Sequence, residues 1–174
     1  MGRSARAKGR QRKNYLELQP DVPREPLRRQ DVAHRQINSA IDILVGGGDW
    51  LAAHVLSMAA LDVVEREAAA RGLQTMMAAD IASYPVEVQE PYRVTLKGAY
   101  NFAKHGGEEV FEHYTPVFVP LLLLVAASTY WEVYGWPADG WLKLTTWFHE
   151  EMPDALGRPS ILIGGPMDWI GRRG

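Results

Sequence analysis

The run Leu121-Leu122-Leu123-Leu124-Val125-Ala126-Ala127 would show an apolar side chain on every side of a helix. A helix with no polar face has to be covered all round, so it belongs at the centre of an assembly of helices. The wider apolar run, Val117 to Ala127, is interrupted by Pro120 and falls well below the ~20 residues that span a bilayer. The expectation is a central helix from Thr115-Pro116 to about Tyr134, bent where Pro120 lies just past its first turn.

The rest of the chain supplies helices to cover it. Residues 31–45 place Val32, Ile37, Ile41, Leu44 and Val45 near a 3.6-residue period, and Gly46-Gly47-Gly48 ends them. Asp49 then caps a helix over about 50–71, with Leu51, Val55, Met58 and Leu61 as its buried stripe and Gly72 as its stop. Leu73 to Glu90 reads as loop-rich, punctuated by Pro85 and Pro91. Pro91 suits the first turn of a third helix, 91–105, which Gly106 closes. After the central helix, Trp136-Pro137 breaks the chain, and a fifth helix covers about 138–151 with Trp141, Leu144, Thr145 and Phe148 on one side. With 174 residues, 47% of them hydrophobic and 23% charged, the pattern predicts an all-α, single-domain bundle of about five helices.

Both ends depart from that pattern. Residues 1–30 carry nine Lys/Arg against three Asp/Glu, a net of +6, whereas 31–174 carry ten against eighteen, a net of −8. Such a basic stretch repels itself and has little to bury, so it reads as a largely disordered arm ahead of a bundle at 31–152. The arm either solubilises the chain, lies on the acidic body, or holds nucleic acid through its phosphates. Residues 153–174 lose helical periodicity and read as an irregular strap across the bundle, with a linear partner motif as the sharper alternative. No secretory apolar core follows the basic run and there are no cysteines, so the default is a cytoplasmic protein that does not meet a membrane.

Candidate chemistry concentrates on the third predicted helix. At 100° per residue, Arg93, Lys97 and Lys104 fall within about 40° of each other, with Asn101 and then His105 following at about 40° steps. Leu96, Phe102 and Ala103 take the opposite arc, expected to be buried together with Val94. The stripe suits a phosphate or carboxylate, with Asn101 as a neutral donor. It is equally the pattern of a solvated face whose Lys104 and His105 satisfy the last carbonyls of the helix. His54, flanked by Trp50, Leu51, Met58 and Leu61, reads either as a core histidine bonded to a polar neighbour or as a group that orients Asn101 or His105.

Metal and phosphate motifs are not expected. His149-Glu150-Glu151-Met152-Pro153 lacks the second histidine of a zinc helix, and Gly46-Gly47-Gly48 has no lysine after it. Glu108, Glu109, Glu112 and His113 crowd one connection and read as a solvated acidic loop rather than a cation site.

Several of these segments share an order with known proteins. Ile41-Asp42-Ile43-Leu44, Gly48-Asp49, Ala53-His54-Val55-Leu56 with Ala59-Ala60, then Asn101-Phe102-Ala103-Lys104-His105-Gly106, and finally Trp147-Phe148 with Pro153 stand in sequence along residues 32–153. This resembles an uncharacterised family of bacterial all-helical proteins with a Gly-Asp turn, a His-Thr-Leu-Ala helix and an Asn-Phe-Phe-Lys-His-Ala segment. The chain departs from it at Val55, Ser57, Ala103 and Gly106. The resemblance implies an all-helical fold and carries no established activity. A looser similarity is to the HEPN superfamily of helical bundles, some of which cleave RNA, whose signature is an arginine four to six residues before a histidine on one helix. Here Arg93 and His105 stand twelve residues apart, so that motif is missing.

Two functions follow as expectations. The first is a non-catalytic binding module whose Arg93, Lys97, Asn101, Lys104 and His105 edge, with His54 behind it and the basic arm beside it, takes an anionic small molecule or nucleic acid without a cofactor. The second is a small RNA-directed or hydrolytic enzyme, with His105 as acid or base and Lys104 and Asn101 stabilising negative charge. The enzyme requires His54, Asn101, Lys104 and His105 to line one cavity. Assembly of the chain with a second copy is open in both.

Overall fold

The structure, a computed structural model, describes residues 25–106 and 114–153. Most of the expected arm, the acidic connection 107–113 and nearly all of the expected strap lie outside the described residues. Among the described residues the fold is all-α, with six helices rather than about five and no strand. They are α1 (Arg29–Val45), α2 (Trp50–Ala70), α3 (Met76–Ser83), α4 (Val86–His105), α5 (Val119–Tyr134) and α6 (Trp141–Glu151).

The added helix is α3, inside the stretch expected to be loop. The Thr75 hydroxyl accepts from the Ala78 N–H at 3.1 Å to cap it. Eight residues are too few to hold a helix alone, so α3 depends on burying Met76, Met77 and Ile81. The next helix starts earlier than expected, at Val86, which leaves Pro91 inside α4 rather than in its first turn. Pro91 has no N–H to return to the Glu87 carbonyl, a weakness tolerated near one end of a long helix. The reverse holds for Pro120. It falls at the start of α5, after a short 3-10 turn Pro116–Phe118, where the N–H would be unbonded anyway. It begins that helix instead of bending it.

Helix α5 is the centre, as its sequence requires. Every residue from Leu122 to Tyr130 is buried, with Leu123 at 0% exposure and Leu121 only partly covered. Its main neighbours are α2 and α1, with α3 touching it as well, whereas α4 packs chiefly on α2 and α3. The helical segment Pro116–Tyr134 has 19 residues and a mean hydropathy of 1.6, long and apolar enough by composition to cross a membrane. The apolar run is therefore longer than Val117 to Ala127 suggested, and 67% of it is buried against protein.

Helix α2 carries two buried stripes. Ala53, Ser57, Ala60, Val64 and Ala68 are small and recur at helical spacing, which lets α1 and α5 approach closely. His54, Met58 and Leu61, continued by the partly covered Glu65, form a second line about a quarter-turn round, toward α3 and α4. Leu51 and Val55, expected in the buried stripe, are exposed and partly covered instead.

Charged and polar contacts set the directions. Asp49 caps α2 by accepting from the Leu51 N–H at 2.9 Å, and Arg29 of α1 pairs with Glu67 near the far end of α2, so α1 and α2 are antiparallel. Arg71, just past α2, donates to the Val133 carbonyl of α5 and lies 5.3 Å from the centre of the Tyr134 ring. His54 near the start of α2 lies by Phe118 and Leu122 at the start of α5, so α2 and α5 run the same way. Helix α6 joins α1 through Gly140, whose N–H donates to the Asn38 Oδ1 at 2.9 Å. A Cβ on Gly140 would meet Ile41 Cδ1 at 2.9 Å and Cγ2 at 3.1 Å, so a larger residue there would have to push the buried Ile41 side chain aside.

Leu123→Ala is expected to cost about 2–5 kcal/mol in urea denaturation, because α5 cannot collapse into the void between α1 and α2. Leu121→Ala should cost clearly less. Equal losses would show that coverage of α5 is even around its circumference.

Candidate functional site

The side of α2 that carries Met58, Leu61, Asp62 and Glu65 does not close fully against its neighbours. Between it, α3 and α4 lies a cleft of about 250 Å³. Its floor is Met58 and Leu61 from α2, Met77 and Ile81 from α3, and Leu96 from α4. Two charged walls rise from that floor. Asp62 and Glu65, three apart, come from α2, and Arg93 and Lys97, four apart, come from α4.

The walls are partly paired as they stand. The Lys97 ammonium lies 3.1 Å from Asp62 Oδ1, with 46% of the lysine side chain exposed. Arg93 reaches Glu90 on its own helix at 3.4 Å and is equally exposed. Pairs this open to water are worth about 0–1 kcal/mol and exchange readily. Glu65 is different. Its Oε1 is buried with no hydrogen-bond partner, and burial pushes its pKa up against the opposing pull of the Thr75 hydroxyl and Lys97.

Outside the lining of the cleft, a polar contact joins α3 to α4. Tyr92 donates to Asp80 Oδ2 at 3.0 Å, and Asp80 is only 2% exposed. Burial raises the Asp80 pKa while the Tyr92 hydrogen bond lowers it, and the Tyr92 hydroxyl is itself pushed well up by burial and by the Asp80 charge. The Tyr84 ring meets Tyr92 at a tilt, 4.9 Å between ring centres.

A second, separate cavity lies at the other end of the same line on α2. It measures about 10 Å³, room for one water, and is lined by His54, Leu96, Ala99, Tyr114, Phe118 and Leu122 among others. His54 is 4% exposed, and neither ring nitrogen has a hydrogen-bond partner of good geometry. Burial holds its pKa below the ordinary 6.5, and the Leu96 backbone carbonyl offsets this only in part. The Tyr114 ring meets His54 edge-on at 5.8 Å, and its hydroxyl is likewise buried without a partner.

The stripe expected on 91–105 is therefore split. Arg93 and Lys97 face the cleft, whereas Asn101, Lys104 and His105 are exposed at the end of α4 and line neither cavity. The Lys104 ammonium lies 5.4 Å from the centre of the Tyr100 ring. His54 belongs to the small cavity, and neither of these two cavities brings it together with Asn101, Lys104 and His105. The buried face of α4 is Leu96, Ala99 and Tyr100. Val94 is 61% exposed and Ala103 is also exposed, against expectation. Among the described residues no group of His, Cys, Asp or Glu could hold a metal, and Glu108, Glu109, Glu112 and His113 lie outside them.

No protein family, curated protein or solved structure matches the chain. The site thus rests on its own geometry. Asp62 and Glu65 were within reach of the sequence, since they continue the Met58 and Leu61 line on α2 by one turn. Met77 and Ile81 were not, because they arrive on the unexpected α3.

Two measurements test this description. The folded His54 pKa lies below the unfolded value of 6.5, so its stability contribution is complete above 6.5 and is lost as pH falls through the folded value. Glu65 and Asp80, raised, act with the opposite sign. The melting temperature of the parent should therefore fall relative to that of His54→Leu between pH about 7.5 and about 5. Parallel curves would mean that His54 is not held neutral. Separately, Tyr92→Phe should cost about 1–3 kcal/mol by leaving the buried Asp80 carboxyl without its donor. Asp80→Asn in the same background should recover part of that loss.

Proposed function

We propose that the protein is a non-catalytic binding module, and that the cleft between α2, α3 and α4 takes a small ligand bearing an anionic group. The observation that carries this reading is the cleft itself, an apolar floor with Arg93 and Lys97 at its mouth. Ligand sites in proteins are concave and mostly apolar, with a few polar groups that fix orientation. Pockets for drug-sized ligands run to about 300–1,000 Å³. At about 250 Å³ this one suits a smaller metabolite. The exposed Arg93 and Lys97 lose only weak ion pairs when they turn to a ligand carboxylate or phosphate.

Catalysis finds less support. A general acid or base has to share a water-excluding site with the groups that stabilise charge, and His105, Lys104 and Asn101 stand in the open.

A melting-shift screen with small carboxylates and phosphates tests the reading. A ligand at a hundred times its Kd should add about 2.7 kcal/mol of stability. Lys97→Ala and Arg93→Ala should each remove most of that gain, and Lys104→Ala and Asn101→Ala should leave it intact. Protection that survives both cleft variants and disappears with Lys104→Ala or Asn101→Ala would move the site to the end of α4.

A further inference from the structure

We propose that the ligand of this cleft is a zwitterion with an apolar body, of the class of a free α-amino acid with an aliphatic, thioether or aromatic side chain. The inference rests on the binding function just described and names the chemistry of its ligand.

Charge is separated across the cleft. The α2 wall contributes two carboxyl groups, Asp62 and Glu65, and the α4 wall contributes two cations, Arg93 and Lys97. Across the cleft the formal charges cancel. A ligand that is only an anion would draw Lys97 away from Asp62 and give Asp62 nothing in return. A ligand that is only a cation would leave Lys97 in the same position. A zwitterion exchanges one set of pairs for another. Its carboxylate takes Lys97 and Arg93, and its ammonium takes the released Asp62 together with Glu65. Each of the four charged groups that line the cleft keeps a partner of opposite sign, and Glu90, which gives up Arg93, is exposed to water, so the desolvation that accompanies binding is compensated on both walls.

Glu65 supplies the second observation. Its Oε1 is buried and has no donor, an arrangement that costs free energy unless something fills it. An ammonium has three N–H donors and no acceptor, which matches a carboxyl oxygen with a vacant lone pair. The neighbouring Thr75 hydroxyl is already committed to the Ala78 N–H and to Glu65, which fixes the carboxyl from its other side. Glu65 is thus the residue that distinguishes an amine-bearing ligand from a simple acid.

The floor sets the third part of the ligand. Met58, Leu61, Met77, Ile81 and Leu96 offer no hydrogen-bonding side chain, so the body between the two charges has to be apolar. Two of the five are methionines, whose flexible thioethers adapt to branched, linear or aromatic groups alike. The cleft therefore selects firmly for the two charged ends and loosely for the side chain.

The experiment is isothermal titration calorimetry of the full chain with three probes of similar shape: L-leucine, isocaproate, which lacks the ammonium, and isoamylamine, which lacks the carboxylate. L-leucine should bind at least about tenfold more tightly than either. Glu65→Gln should weaken L-leucine by at least about tenfold and leave isocaproate unchanged, since glutamine keeps the shape and loses the charge. Should Glu65→Gln fail to fold, Asp62→Asn makes the same comparison from the same wall. If isocaproate binds as tightly as L-leucine, or if Glu65→Gln and Asp62→Asn weaken both equally, the zwitterion is wrong while the anion-binding function stands. Tightest binding by isoamylamine overturns both, and so does heat from none of the three.

Discussion

Everything in this fold follows from the need to cover α5 on all sides. A helix without a polar face cannot sit at a surface, and α5 is satisfied by α1 and α2 pressed against it, with α3 closing part of what remains. Close approach is possible because the facing residues of α2 are small, Ala53, Ser57, Ala60, Val64 and Ala68, so that main chains rather than long side chains fill the space. Having spent its small face on that contact, α2 has only the His54, Met58, Leu61 and Glu65 side left for α3 and α4. Those side chains are longer and partly polar, and they pack with gaps. The His54 cavity and the Glu65 cleft both lie along that one line.

The contrast between the two cavities shows how position on a helix decides chemistry. At the His54 end, α4 and the start of α5 leave room for a single water, and both the imidazole and the Tyr114 hydroxyl are cut off from solvent. At the Glu65 end, α3 props α4 away from α2 and the cleft is open to solutes. The Tyr92 to Asp80 contact is what keeps that prop in place, a polar bond inside an otherwise apolar junction. Without it the short α3 would be held mainly by the burial of Met76, Met77 and Ile81.

The sequence was most legible where local chemistry and long-range packing agree. The uniform apolarity of Leu121–Ala127, the Asp49 cap and the glycine stops each mark a feature that no tertiary contact contradicts. It was least legible between Leu73 and Glu90, where an eight-residue helix owes its existence to burial and leaves only a weak periodic signal. That one helix decides how the site reads. With α3 absent, Arg93, Lys97, Lys104 and Asn101 look like a single solvent-facing stripe. With α3 present, the first two become the wall of a cleft and the others stay outside it. The start of α4 is hidden for a related reason, because Pro91 resembles a first-turn proline unless the preceding turn is helical.

The parallel course of α2 and α5 brings a consequence of its own. Neighbouring helices that point the same way set their dipoles side by side, and the electronegative ends, each equivalent to about half a negative charge, crowd together. Antiparallel neighbours cancel this, as α1 does with α2, but α5 gains no such relief from α2. The guanidinium of Arg71 stands where the two ends meet, bonded to a carbonyl of α5 while belonging to the chain leaving α2, with the Tyr134 ring face beneath it. One cation thus neutralises two helix termini at once, and the direction in which the central helix threads the bundle is tied to a positive charge at a single residue.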